Sequence, residues 1–541
     1  MEKQLSFHDR IEATHGTRER QDPTTIIKSS HHLCAGILLA LCFSIIMIAT
    51  YKDYGITWDE PVYVRKATLY MEWITRPSLS TIDFHWNIWD MHPPLTKILG
   101  GITSYIFSTK LQLANIDTTY RMGTVALVFL VTYVMYLYMV RRYGTFVALF
   151  TTTSFFFLPR VFYEAHIGGL DYTVTALSVL TIMSFIEGYR DRRWFWASAI
   201  FLGLAHLTKI QGFFLYVPIV ITWFASCMLA LAKWRQTHQV PKIYLKKLFL
   251  ENIVPMTFIP PLVFWAGWPR MWTHPVARFI EYLMLEFGKY RVEVYYLGQT
   301  YKELAPWHYP IVLTLATVPV VILALFFIGV VSMFRKAKPF ESLLLLSCII
   351  PIAVIAAPGV SKYDGVRLFL PAFPFLCLIA GIGVSAILSF AKKRHITKPV
   401  TLFLTVTLAL TILTGTVLTH PYQSSYFNEL VGGVDGAEHL GFETEYWGNA
   451  YIGVLPWMNQ HKASNLCIWP MTEAFDMYKQ IGLLDRDVTY TLPNGSCNYL
   501  ILLSRQGFFF VDPLYWDLYR NATPVYSVIL SHTRLVSVYK L

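Results

Sequence analysis

Charge is scarce in this chain. Asp, Glu, Lys and Arg make up 15% of 541 residues against 55% hydrophobic, and a mean hydropathy of +0.43 excludes an ordinary soluble composition. Acidic residues are the scarcer sign, 34 against 45 basic, leaving a net charge of +11. That excess does not describe a phosphate-binding groove, because most basic residues fall in short clusters directly after long apolar runs, the pattern of topology signals; nucleic acid is not an expected partner. The seven cysteines lack metal-ligand spacing, and Cys34, Cys42, Cys227, Cys348 and Cys377 lie in apolar stretches as small hydrophobes. The first apolar run has no small-residue cleavage site, so it reads as an uncleaved first helix behind a polar tail at 1–31. No internal repeat is evident.

What is present is a series of apolar runs near 32–51, 120–140, 145–158, 171–188, 194–208, 212–232, 251–268, 309–334, 339–357, 366–390 and 398–418. A span needs about 20 residues, so the third and fifth are short, and the expectation is a polytopic α-helical protein of about eleven transmembrane helices. A cytoplasmic N-terminus puts Arg141-Arg142, Arg190/Arg192/Arg193, the segment Lys233–Lys247, Arg335/Lys336/Lys338 and Lys392–Lys398 on the cytoplasmic side. The opposite face then carries long loops at 52–119 and 269–308. The stretch 276–290 mixes apolar and charged residues at helical spacing and suits a helix lying on the membrane surface.

Beyond His420 no span-length run occurs. Residues 419–541 are expected to form a small extracytoplasmic α/β domain after a membrane domain at 32–418. Helices are predicted near 425–439, 447–461 and 473–482 and strands near 498–503, 524–530 and 534–540, the last two joined at Ser531–Thr533. If this part is exported, Cys467 and Cys497 are candidates for a disulfide; two separate buried thiols suit the spacing equally. Sequons stand at Asn494 and Asn521.

Two motifs in the first exported loop carry chemistry. In Gly55-Ile-Thr-Trp-Asp59-Glu60-Pro61, the pattern by itself favours Asp59 as a helix N-cap with proline in the first turn; the functional alternative is a general base at the membrane surface. In Asp90-Met-His92-Pro93-Pro94-Leu95-Thr-Lys97, two prolines fix an extended entry into a helix and present an imidazole and an ammonium that suit an anionic ligand or a metal.

An acidic pair after the first span, followed some thirty residues on by His-Pro-Pro-Leu ending in Lys, resembles glycosyltransferase family 39 and its relatives of the GT-C fold: the protein O-mannosyltransferases and the lipid A aminoarabinose transferases. Leu158-Pro-Arg160 with Asp171, Thr208-Lys209, Pro306-Trp307-His-Tyr309 and Tyr363-Asp364-Gly-Val-Arg367 fit in the same order. The tail motifs His420-Pro-Tyr…Tyr426-Phe-Asn428 and Glu443-Thr-Glu-Tyr446-Trp447-Gly448 look like a C-terminal extension of some bacterial members. The β-trefoil insertion of the eukaryotic mannosyltransferases is not found here.

The resemblance implies transfer of a sugar, with inversion, from a polyprenyl-phosphate carrier to a lipid, glycan or protein hydroxyl outside the cytoplasm, at a bacterial inner membrane. Asp59 would be the general base, Glu60 would orient the acceptor or hold the loop, and Asp171 is a further acid. His92, Lys97, Arg160, Lys209, Lys362 and Arg367 are the candidates for the donor phosphate. Some GT-C enzymes use a divalent metal ion and others do not, and Asp59 with His92 is the pair that would hold one. A transporter or lipid flippase, and a non-enzymatic assembly factor, are the competing classes; the absence of repeats and the one-sided ionisable groups weigh against transport.

Overall fold

The computed structural model describes residues 30–86, 92–237, 251–286, 288, 291–336, 339–462, 464–493 and 497–541. Asp90, Lys338, Asn494, most of the Lys233–Lys247 segment and nearly all of the N-terminal tail lie outside the described residues.

All eleven apolar runs are helical. Among the described residues, six helices have the length and composition to cross a membrane: Ser30–Asp53, Ile116–Tyr143, Leu170–Gly188, Ile210–Met228, Arg367–Lys393 and Thr397–Val417. Two further runs are bent pairs, Thr145–Phe156 with Pro159–His166 at 62° and Tyr309–Thr317 with Val320–Arg335 at 114°, which raise the total to eight if each pair is one span. Proline explains both breaks: Pro159 opens the second helix of one pair, and Pro319 follows the extended residue Val318 in the other. Helix Arg193–His206 has 14 residues, about 21 Å at 1.5 Å per residue, short of a hydrocarbon core of about 30 Å.

Helix Leu170–Gly188 is the centre of the bundle, with nearly every residue buried. It is apolar on all sides, as a helix surrounded by others must be, and Thr175, Ser178 and Thr181 turn their hydroxyls back onto the carbonyls of Asp171, Val174 and Leu177. Outside the bundle, helix Pro275–Glu286 buries only Tyr282 and turns Val276, Ile280 and Met284 outward, 71%, 47% and 70% exposed. That is the apolar stripe a helix lying along a bilayer surface presents. A two-strand hairpin follows, β1 Val294–Tyr296 and β2 Gln299–Tyr301.

The tail folds around a five-stranded mixed sheet of order β4-β3-β5-β7-β6, with β3 Leu466–Trp469, β4 Tyr490–Thr491, β5 Tyr499–Leu503, β6 Tyr526–Leu530 and β7 Thr533–Lys540. Strand β3 runs parallel to β4 and β5, while β7 is antiparallel to both its neighbours. The expected β6–β7 hairpin is present. Asp435 fastens its turn, accepting from Ser531 Oγ, the His532 amide and Thr533 Oγ1 at 2.6, 3.0 and 2.8 Å. The expected helix at 425–439 is confined to Gly433–His439, because Gly432 and Gly433 take φ of +78° and +69°, where a helix cannot run through. Cys467 and Cys497 are disulfide-bonded.

Candidate active site

The N-terminal ends of several bundle helices meet the tail, and the ionisable residues gather there. Asp59 stands at the N-cap position of helix Glu60–Thr75, but its side chain makes no capping bond. It points instead to Arg367 Nη1 at 3.4 Å and accepts from the indole N–H of Trp447 at 3.3 Å. Its side chain is 33% exposed, whereas those of Arg367 and Asp171 are 11% and 2% exposed. Asp59 is therefore the carboxylate at the rim.

Behind it the charges interlock. Arg367 Nη2 pairs with Asp364 at 2.7 Å and its Nη1 lies 4.0 Å from Asp171; Asp171 holds Lys209 Nζ at 2.6 Å. Asp364 also takes Arg505 Nη2 at 2.7 Å. The turn that aims Asp364 and Arg367 needs left-handed backbone at two successive residues, Asp364 at φ +55° and Gly365 at +64°. Gly365 is also a close approach, since a Cβ there would lie 2.6 Å from Arg160 Nη1. Arg160 donates through Nε to the Tyr426 carbonyl at 3.2 Å and lies over the rings of Phe427 and Tyr446.

Arg160 Nη1, Arg367 Nε and both oxygens of Glu164 are buried with no hydrogen-bond partner among the described residues. Such groups are costly unless something binds them.

Glu60, adjacent to Asp59, is committed elsewhere. It takes Arg121 Nε and Nη2 at 2.6 and 2.7 Å, the Thr57 amide at 2.8 Å and the Gly168 amide at 3.1 Å. His92 and Lys97 form a second group: His92 Nδ1 meets Glu286 at 2.9 Å, and Lys97 Nζ donates to the His92 carbonyl at 2.8 Å and lies over Tyr63. Lys362 turns onto its own loop, donating to the Val360 and Ala357 carbonyls. For a metal the fit is poor. The neighbours of Asp59 are a guanidinium and an indole N–H, not further ligands, and among the described residues no group of three or more His, Cys, Asp or Glu side chains is placed to hold an ion.

Of the residues of this site that were not among the sequence candidates, Glu164 and Asp364 belong to the bundle, and two more come from the tail. Trp447 contacts Asp59 and lies under Arg367, 4.6 Å from guanidinium carbon to ring centre; Glu445 fixes its loop by accepting the amides of Tyr446, Trp447 and Gly448. Arg505, 1% exposed, bridges Asp364 and the Tyr446 carbonyl and stacks on Trp58 and Phe508. The Glu443–Gly448 motif signalled the first. Arg505 had no local signal.

A bundle of apolar helices with its cations and carboxylates gathered at helix ends defines an integral membrane protein. Residues 85–266, about a third of the chain, match the family described as dolichyl-phosphate-mannose-protein mannosyltransferase, so the resemblance to membrane glycosyltransferases is borne out over a stretch that holds His92, Lys97, Arg160, Asp171 and Lys209. No curated protein matches the chain. Similar solved structures include ArnT from Cupriavidus metallidurans bound to undecaprenyl phosphate, 14% identical with a TM-score of 0.48, covering 94% of this chain and 98% of that one. The same protein in the apo state gives 13% and 0.49 with the same coverage. Archaeal oligosaccharyltransferase AglB from Archaeoglobus fulgidus, in complex with an inhibitory peptide and a dolichol-phosphate, gives 14% and 0.45, covering 83% of this chain and 59% of that one. All three are loose likenesses.

Proposed function

We propose that this protein is an inverting glycosyltransferase that moves a sugar from a polyprenyl-phosphate carrier to an acceptor hydroxyl at the extracytoplasmic face of a bacterial inner membrane, with Asp59 as general base. The observation that carries the reading is the order of charge at the site: one partly exposed carboxylate at the rim, and behind it Arg160, Lys209 and Arg367, two of them with unpartnered N–H groups.

In the reaction the acceptor oxygen attacks the anomeric carbon as the bond to the carrier phosphate breaks. The hydroxyl proton passes to Asp59, late in the step because an alcohol is a far weaker acid than a carboxylic acid. The departing phosphate is stable as an anion and needs no proton; Arg367 and Arg160 stabilise its charge where it develops. Asp171 holds Lys209 in place, and Glu60 holds the loop that carries Asp59. His92 and Lys97 order the entry to helix Leu95–Ser104 and tie it, through Glu286, to the surface helix. The acceptor is a lipid, glycan or protein hydroxyl. The basic clusters support a cytoplasmic N-terminus and an exported tail, and the Cys467–Cys497 disulfide suits an oxidising compartment.

The test is transfer from a panel of radiolabelled polyprenyl-phosphate sugars by purified protein, comparing wild type with Asp59→Asn. Because Asp59 caps nothing, the variant is expected to fold normally and to lose turnover by about 10²-fold or more. Equal turnover in the two, or none with any donor alongside lipid or ion transport in liposomes, overturns the assignment.

A further inference from the structure

The outer side of the tail carries a groove that the transfer chemistry does not use. Two adjoining cavities, of about 340 and 380 Å³, share Tyr295, Trp516 and Arg520. They lie between the β1–β2 hairpin and helix Pro513–Asn521, and each falls within the range of about 300–1,000 Å³ usual for small-ligand sites.

One cavity is polar, lined by Glu438, His439, Gln506 and Tyr519; the other is aromatic, with Phe509 and Phe510. The ring of Tyr295 stands 5.1 Å from that of Trp516 at 60°, and the Arg520 guanidinium lies over Trp516, 4.3 Å from the ring centre.

Gln506 supplies the second observation. It is 1% exposed and lines the polar cavity; its Nε2 donates to the Tyr519 hydroxyl at 3.2 Å, while its Oε1 has no partner among the described residues. A buried, unpartnered amide oxygen on a residue that lines a cavity calls for a donor.

We propose that this groove binds carbohydrate, a short neutral oligosaccharide. The C–H face of a pyranose matches the rings of Trp516 and Tyr295. Its hydroxyls, each both donor and acceptor, match a lining that offers acceptors in Gln506 and Glu438 and a donor in Arg520. A lipid tail would strand those polar groups.

The segment 505–509 separates this groove from Asp59. Arg505 and Phe508 face Trp58, and Gln506 and Phe509 line the groove. Binding therefore stands independently of the transferase reading; on that reading, the groove is where the saccharide part of a glycan acceptor rests.

The experiment is saturation-transfer NMR on the full-length protein in detergent with cellobiose, maltose, mannobiose and N,N′-diacetylchitobiose, using wild type, Trp516→Ala, Arg520→Ala and Asp59→Asn. Arg520 is exposed, so its removal leaves folding intact even if Trp516→Ala does not. At least one disaccharide is expected to bind wild type and Asp59→Asn alike, and at least about tenfold more weakly to Arg520→Ala, the scale of one hydrogen bond to a charged group. Binding of none of the four, binding to both groove variants as tight as to wild type, or loss in Asp59→Asn alone would each overturn the proposal. The transfer assay is separate, so failure of either reading leaves the other standing.

Discussion

At Glu60 every acceptor direction is filled, by a bidentate guanidinium and two backbone amides. Burial pushes its carboxyl up, but the Arg121 charge and those hydrogen bonds outweigh it and hold the group below the usual carboxylate range. A group with a depressed folded pKa stabilises the protein above the ordinary carboxylate range, and that contribution is lost as pH falls through the folded value. Glu60→Gln keeps the shape but leaves Arg121 charged, buried and unbalanced, so we expect a loss of about 3–5 kcal/mol, read as a lower midpoint of thermal unfolding in detergent. Asp59→Asn, one residue away, should leave that midpoint unchanged. An equal fall in both variants would mean that Asp59 is also structural. The two residues looked like a matched pair in the sequence because their contrast is made by Arg121, Arg367 and Trp447, which lie more than sixty, three hundred and nearly four hundred positions away.

The same separation of local from distant information governs the elements. The surface helix was legible because its apolar and charged residues alternate at helical period, and the β6–β7 hairpin because two strand-like runs flank a polar turn. Strand β3 was not: Leu466–Trp469 is four residues long, too short for a period, and it is a strand because β4 and β5 lie beside it. Hydropathy also sees a run and not the bend that proline puts into it, so the breaks at Pro159 and Pro319 were not legible. The surface helix offers its own check. A polarity-sensitive fluorophore on a cysteine placed at Met284 should be blue-shifted and quenched by lipid-borne nitroxides in liposomes, whereas one at Glu281, which pairs with Arg270 and Arg278, should be neither. Equal quenching at both positions would remove the helix from the bilayer surface.

Across the whole molecule, the tail and the bundle share one ionic network: Asp364 and Arg367 belong to the bundle, Trp447 and Arg505 to the tail. Composition alone marked the tail as a separate domain, and only the contacts reveal that it completes the site. Glu443 lies at this junction, accepting the Gly507 amide at 2.8 Å. Burial pushes its carboxyl up to about 7; Arg505 and the Gly507 amide pull it down, and Asp364 adds to the rise. A carboxyl raised in the folded state helps stability fully below its unfolded value, near 4.5, and that help is lost as pH rises towards 7, after which the loss levels off. The whole protein should therefore lose about 3 kcal/mol between pH 4.5 and 8 through this group. Glu443→Gln keeps an oxygen for Gly507 and carries no charge at any pH, so it should flatten that dependence, and at pH 8 it should unfold at a higher temperature than wild type. Parallel pH profiles for the two proteins would place the origin of any pH dependence elsewhere.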